Sequence, residues 1–162
     1  SKDLTNVGNA EDYLRVSSNV SSVLECYLAT QHGRDTSTVF TFASRSMPFI
    51  SVLLTAGLPV HLFTGKDKSP FTDQQLSELS LIGCSLSVHR TSPSGNLHGH
   101  PHHYGIVLST SVADIKSKGV DAVISENTLY INNINRISPA DILVIRKRMT
   151  TPLTTPVAIA RM

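Results

Sequence analysis

The sequence predicts an α/β sandwich. Three observations carry that expectation. Helix-period and strand-like segments alternate along the first two-thirds of the chain. The connections between them are short, and parallel neighbouring strands need a crossover for which a helix is the usual choice. The 162 residues fit a single domain with one core. Hydrophobic residues make up 40% of the chain and charged residues 16%, against roughly 25% charged in ordinary globular domains. Such a composition excludes disorder for most of the chain and implies a surface poor in charge.

Residues 1–16 are polar and aperiodic and read as a lead-in segment. From Ser17 onward, Val20, Val23, Leu24, Tyr27 and Leu28 recur at helical spacing, and His32-Gly33 supplies a stop. Thr38 to Ala43 is β-branched and aromatic and predicts a strand. Ser46 to Ala56 predicts a helix that turns Met47, Ile50, Leu53 and Leu54 inward, with Pro48 in its first turn and Gly57 as its cap. Pro59 to Phe63 is the next strand. Residues 70–82 form a helix through Phe71, Leu76, Leu79 and Ile82, and Cys84 to Val88 follows as a strand. A loop rich in Ser, Gly, Pro and His spans Arg90 to His103, and long loops at strand ends are where sites tend to be built. Tyr104 to Ser109 returns as a strand, and Lys118 to Asn127 predicts a helix through Val120, Val123 and Ile124. The last helix, about 138–149, begins at Ser138-Pro139-Ala140-Asp141, which suits a capped and dipole-matched start. Two prolines make the remaining tail extended.

Fourteen Lys and Arg against twelve Asp and Glu leave a net charge of +2, too little for a dedicated nucleic-acid or membrane binder. No apolar stretch approaches the roughly 20 residues of a membrane span, so a soluble chain is expected. Cys26 and Cys84 belong to no CxxC pair, which predicts buried, reduced thiols and favours a reducing intracellular compartment, cytoplasm or organelle matrix.

Four histidines, His98, His100, His102 and His103, fall within six residues. Neutral imidazoles bind zinc, copper or nickel, but no nearby cysteine completes a structural site, and a solvated loop is the plainer reading. The chain has no GxSxG elbow and no phosphate-binding P-loop. Arg45 and Arg90 stand near predicted element ends, where a guanidinium suits a phosphate; Arg34 reads as surface charge. Arg146-Lys147-Arg148, with Arg161, is a possible nucleic-acid contact within a ribonucleoprotein, although three adjacent cations more often form a solvated helix end.

Ala56 to Thr72, AGLPVHLFTGKDKSPFT, resembles a strand and loop of the first domain of the α-D-phosphohexomutases, the phosphoglucomutase and phosphomannomutase family, and further strings resemble that domain in the same order. Phe42-Ala43-Ser44-Arg45 is similar to its (F/Y)-D-x-R turn, Tyr104-Gly105-Ile106-Val107 falls at its N-G-x-K, and KGVDAVISEN resembles its KGI…AI-EEN helix. Together, alternation and resemblance predict a three-layer α/β/α sandwich with a mixed, mostly parallel sheet over residues 17–128. Residues 129–162 then form a C-terminal extension.

In that family a phosphoserine in T-A-S-H-N-P transfers its phosphoryl group to the sugar phosphate. Aligning the proline on Pro93 puts Arg90 at the nucleophile's position, with Ser92 two residues late; the family's Lys is Val107 here. The family enzymes also use further domains for Mg²⁺, the sugar and the distal phosphate. The resemblance therefore implies a catalytically inactive domain that serves as a structural or binding subunit among other protein chains, with no cofactor of its own. The enzymatic alternative is one piece of a split or truncated mutase. In it Ser92 carries the phosphate, Arg45 and Arg90 bind sugar phosphate, and Mg²⁺ comes with a partner chain. A third reading is metal binding by the histidine loop.

Overall fold

The computed structural model describes residues 19–64, 71–81, 84–90, 105–117 and 119–149. Helix α1, Asn19–His32, buries Ser21, Leu24, Glu25 and Ala29, with Leu28 half-buried. The helical period is as expected, but the stripe is rotated by about one residue, so Val23 and Tyr27 face outward. Glu25 is the reason: it is drawn inward by a cation from the far end of the chain. Gly33 closes the helix at φ +59, a conformation that costs glycine little. Its N–H donates to the carbonyl of Thr30 and that of Arg34 to Ala29, the paired bonds of a Schellman cap.

A 3-10 turn, Thr36–Thr38, leads into strand β1, Val39–Thr41. Helix α2, Met47–Thr55, carries Pro48 in its first turn and buries Pro48, Phe49, Ser51, Val52 and Leu53. Leu54, expected inside, is exposed. The helix ends on Ala56 in extended conformation, without the Gly57 cap the sequence suggests. Strand β2 is Val60–Phe63. Helix α3, Asp73–Leu81, starts with a capping box: the Gln75 N–H donates to Thr72 Oγ1 at 3.2 Å and the Thr72 N–H to Gln75 Oε1 at 2.9 Å. It touches the core only through half-buried Leu79 and, just ahead of it, Phe71, whose ring meets Phe49 edge-on at 5.2 Å.

Strands β3, Leu86–His89, and β4, Ile106–Ser109, lie where expected. The helix expected over 118–127 is a strand instead. A 3-10 turn, Val112–Lys116, leads to β5, Ala122–Ser125, and the turn at Glu126-Asn127 leads directly to β6, Thr128–Ile131. Ala122 and Ile124 enter one core cluster and Val123 the other, so both faces of β5 are buried. A strand buried on both faces reads as a continuous apolar run, which periodicity cannot tell from a buried helix. The boundary expected at 128/129 falls inside β6, which lies between two other strands. Helix α4, Pro139–Met149, is observed where expected, and the Asp141 N–H donates to Ser138 Oγ at 3.3 Å.

The elements form an α/β fold on one six-stranded mixed, mostly parallel sheet of order β1-β6-β5-β4-β2-β3. The pairs β2/β3, β2/β4 and β4/β5 are parallel, and β6 runs antiparallel to both of its neighbours. Alternate strand residues feed two clusters, as the pleat requires. One joins Phe40, Leu62, Leu108 and Ile124 to Val52 of α2 and Ile142 of α4. The other joins Val39, Phe63, Val107 and Tyr130 to Ala29 of α1 and Ile115. Among the described residues, no helix is long and apolar enough to cross a membrane.

Candidate functional site

Because β6 alone is reversed, β1, β5, β4, β2 and β3 all end at the same edge of the sheet. The chain leaves β2 toward β3 and leaves β4 toward β5, in opposite directions along the sheet. The half-buried Phe71 and Leu79 after β2 join one core cluster, and Ile115 after β4 joins the other. The two connections therefore lie on opposite faces. A crevice between strands whose connections diverge in this way is where open α/β sheets bind ligands.

Small hydroxyl side chains line that point. The buried Thr64 donates its N–H to the carbonyl of His89 at 2.9 Å, and the Thr110 N–H donates to Phe63 at 3.1 Å. Ser109 donates its hydroxyl to Asp114 Oδ2 at 2.6 Å and accepts the Ser111 N–H at 3.0 Å. The buried Thr110 Oγ1 has no hydrogen-bond partner.

Arg45 and Arg90 both stand at this edge, as their positions after β1 and β3 require, but the fold does not bring them together. Their strands are first and last of the six, about 24 Å apart at the usual strand spacing. Arg45 is 80% exposed, with Nη2 at 3.7 Å from Glu126 Oε1. Arg90 is exposed as well. Val107, which the resemblance would set at a lysine position, is fully buried in the cluster beneath α1. Ser92, His98, His100, His102, His103 and Arg161 lie outside the described residues.

The expected row of three cations on α4 is broken. Arg146 turns inward to Glu25 and lies over the Phe40 ring, 5.4 Å from its centroid. Arg34, read from sequence as surface charge, donates to Asn132 Oδ1 at 2.6 Å and to the carbonyls of Ile115 and Ile131. Burial lowers its pKa, an effect the nearby Tyr130 hydroxyl opposes. Cys26, expected inside, is exposed, and Cys84 is half-buried.

Sequence reasoning missed a pair of histidines. His61 of β2 and His89 of β3 share one face of the sheet, and His61 Nδ1 lies 3.1 Å from His89 Nε2. The Phe63 ring stacks on His89 at 4.7 Å and 18°. Burial, and secondarily the neighbouring His89, holds the His61 pKa below the ordinary 6.5, favouring the neutral ring at pH 7. Gly105 makes room for it: a Cβ there would lie 2.7 Å from His61 Cδ2 and 2.4 Å from the Pro59 carbonyl oxygen. The available signal was a histidine within one strand-like string, PVHLF, and another directly after a second, CSLSV, but only parallel pairing in this register makes them neighbours.

At the opposite edge an open cavity of about 250 Å³ has Leu53, Ala56, Leu58, Pro59 and Cys84 among its lining residues. Cys84 is its one titratable side chain. No model of a known protein family matches the chain, and no curated protein is significantly similar to it.

Proposed function

We propose that the chain is a degenerate phosphohexomutase-like α/β domain that acts as a structural or binding subunit of a larger protein assembly, without mutase chemistry of its own. The observation that carries this reading is the placement of Arg45 and Arg90 at the two ends of the carboxyl edge. Phosphoryl transfer relies on cationic groups and metal converging on one phosphate, and two arginines that follow the first and last strands of the sheet are poorly placed to share one. Arg45 already faces a carboxylate, and the buried Val107 brings no charge to the edge. Among the described residues, no three His, Cys, Asp or Glu side chains cluster to hold Mg²⁺. Exposed apolar side chains, Leu81 at 84% and Ile134 at 57%, supply contact surface for other chains.

The test is an assay of the purified chain with a hexose 1-phosphate, the bisphosphate activator and Mg²⁺. No interconversion is expected above the level of a Ser92→Ala variant. Turnover that Ser92→Ala abolishes overturns the proposal in favour of the split-mutase reading. Size measurement of native material is the companion experiment: co-purifying chains are expected, and a lone monomer of 162 residues contradicts the assembly.

A further inference from the structure

We propose that His61 and His89 form a two-histidine binding site for a divalent transition-metal ion of the copper, nickel and zinc class. The site is independent of the histidine-rich loop and of any mutase ancestry.

The geometry carries the proposal. Nitrogen ligands sit about 2.0–2.1 Å from such ions, so two of them at tetrahedral angles are about 3.3 Å apart and two at right angles about 2.9 Å. The 3.1 Å between His61 Nδ1 and His89 Nε2 lies between these values. Converting the hydrogen-bonded pair into a chelate therefore takes ring rotation rather than strand movement. The rings are stacked, 29° apart with centroids at 5.4 Å, and rotation about χ2 is the motion that would turn both lone pairs toward one ion.

The pair is held in place by its surroundings. His61 is on β2, between β3 and β4, and its ring lies against Gly105. His89 is backed by Phe63. Among the described residues, neither imidazole faces a carboxylate or guanidinium within ion-pair distance. Each ring's nitrogen partner is the other ring, and both are half-buried, so solvent can complete the coordination shell. By ligand type and the usual affinity order, Cu²⁺ binds tightest, then Ni²⁺ and Zn²⁺.

The experiment uses the full chain in a background where His98, His100, His102 and His103 are changed to Ala, which removes the loop as a competing ligand. Calorimetric titration with Cu²⁺ and Zn²⁺ at pH 7.5 is expected to show one ion per chain and a metal-dependent rise in melting temperature. His89→Gln in that background is expected to weaken binding on the order of a hundredfold, the gain lost when a second donor is no longer held beside the first. Its metal-free melting temperature should be unchanged, which separates lost binding from lost folding. In the same background with His61 and His89 intact, ¹⁵N spectra of the imidazoles should show Zn²⁺ shifting Nδ1 of His61 and Nε2 of His89. Absence of saturable one-to-one binding overturns the proposal, as does binding that His89→Gln leaves intact or a shift confined to other histidines.

Discussion

At the β1 margin of the sheet three outward backbone groups have partners from outside the sheet, whereas at the β3 margin no described strand lies beyond Leu86–His89. Thr41 of β1 gives its N–H to Glu25 Oε1 at 2.8 Å, and its carbonyl accepts from Arg146 at 3.4 Å; Val39 gives its N–H to Thr36. Glu25 and Arg146 are themselves an ion pair with side chains 8% and 10% exposed, reaching around the strand from α1 and α4. An unprotected edge strand is a template for unwanted pairing, and here a buried salt bridge occupies it. Such pairs add little net stability because desolvation offsets attraction, so the natural reading is protection and register. β3 is short and ends in His89, which meets His61 of the neighbouring β2, a pairing that sequence distance concealed. One margin is closed by partners from α1 and α4; the other lies beside the histidine pair of the proposed metal site.

The largest effect should come from breaking the closed margin. Glu25→Ala leaves Arg146 buried without its carboxylate and Thr41 without its acceptor, and a loss of about 3–5 kcal/mol is expected in urea unfolding. A loss below about 1 kcal/mol would mean that the pair does not seal the edge. Next is Gly105→Ala, where the new methyl meets backbone and the His61 ring. Overpacking of that kind costs about 1–3 kcal/mol, and metal affinity should fall with it because His61 must move.

Asn127→Ala is smaller again. The buried Asn127 donates its side-chain N–H to the carbonyl of Phe42 and tethers the β5–β6 turn to the end of β1, so about 1–2 kcal/mol should be lost on chemical denaturation. Glu126 should respond with the opposite sign. It holds φ +53 in that turn, where glycine is at ease. Glu126→Gly should stabilise by about 0.5–1 kcal/mol, since the exposed contact with Arg45 that it gives up is worth little.

The smallest change in overall stability, within about 0.5 kcal/mol, is expected at the open margin from His89→Gln at pH 8. Its partner's signature is in the pH dependence. Because the folded chain holds the His61 pKa below 6.5, the unfolded chain binds more protons just below that pH. The contribution of neutral His61 is full above pH 6.5 and declines as pH falls toward the lowered folded value. His61→Gln should flatten this part of a stability-versus-pH curve measured without metal.

Much of the fold was legible because the relevant signals are local. The four helices and β1 to β4 announce themselves by period, β-branching, caps and turns; Thr72 with Gln75 and Gly33 act within a few residues of where they stand. β5 and β6 were hidden because a four-residue strand buried on both faces shows no alternation, and the KGVDAVISEN string carries helix-like spacing by coincidence of its valines. The stripe of α1 was displaced because an inward Glu25 is unreadable until Arg146, 121 positions later, is known to meet it. Of the candidate site, the location of Arg45 and Arg90 at strand ends was readable, and their separation was not.

By itself, then, the sequence determined the class of fold, the identity of most elements and the sites where the chain turns, since these depend on interactions across a few residues. Tertiary structure alone decided strand order, which polar groups became buried partners, and which histidines became neighbours. Those outcomes depend on closing loops of tens of residues, and their free energy comes from packing that no local window contains.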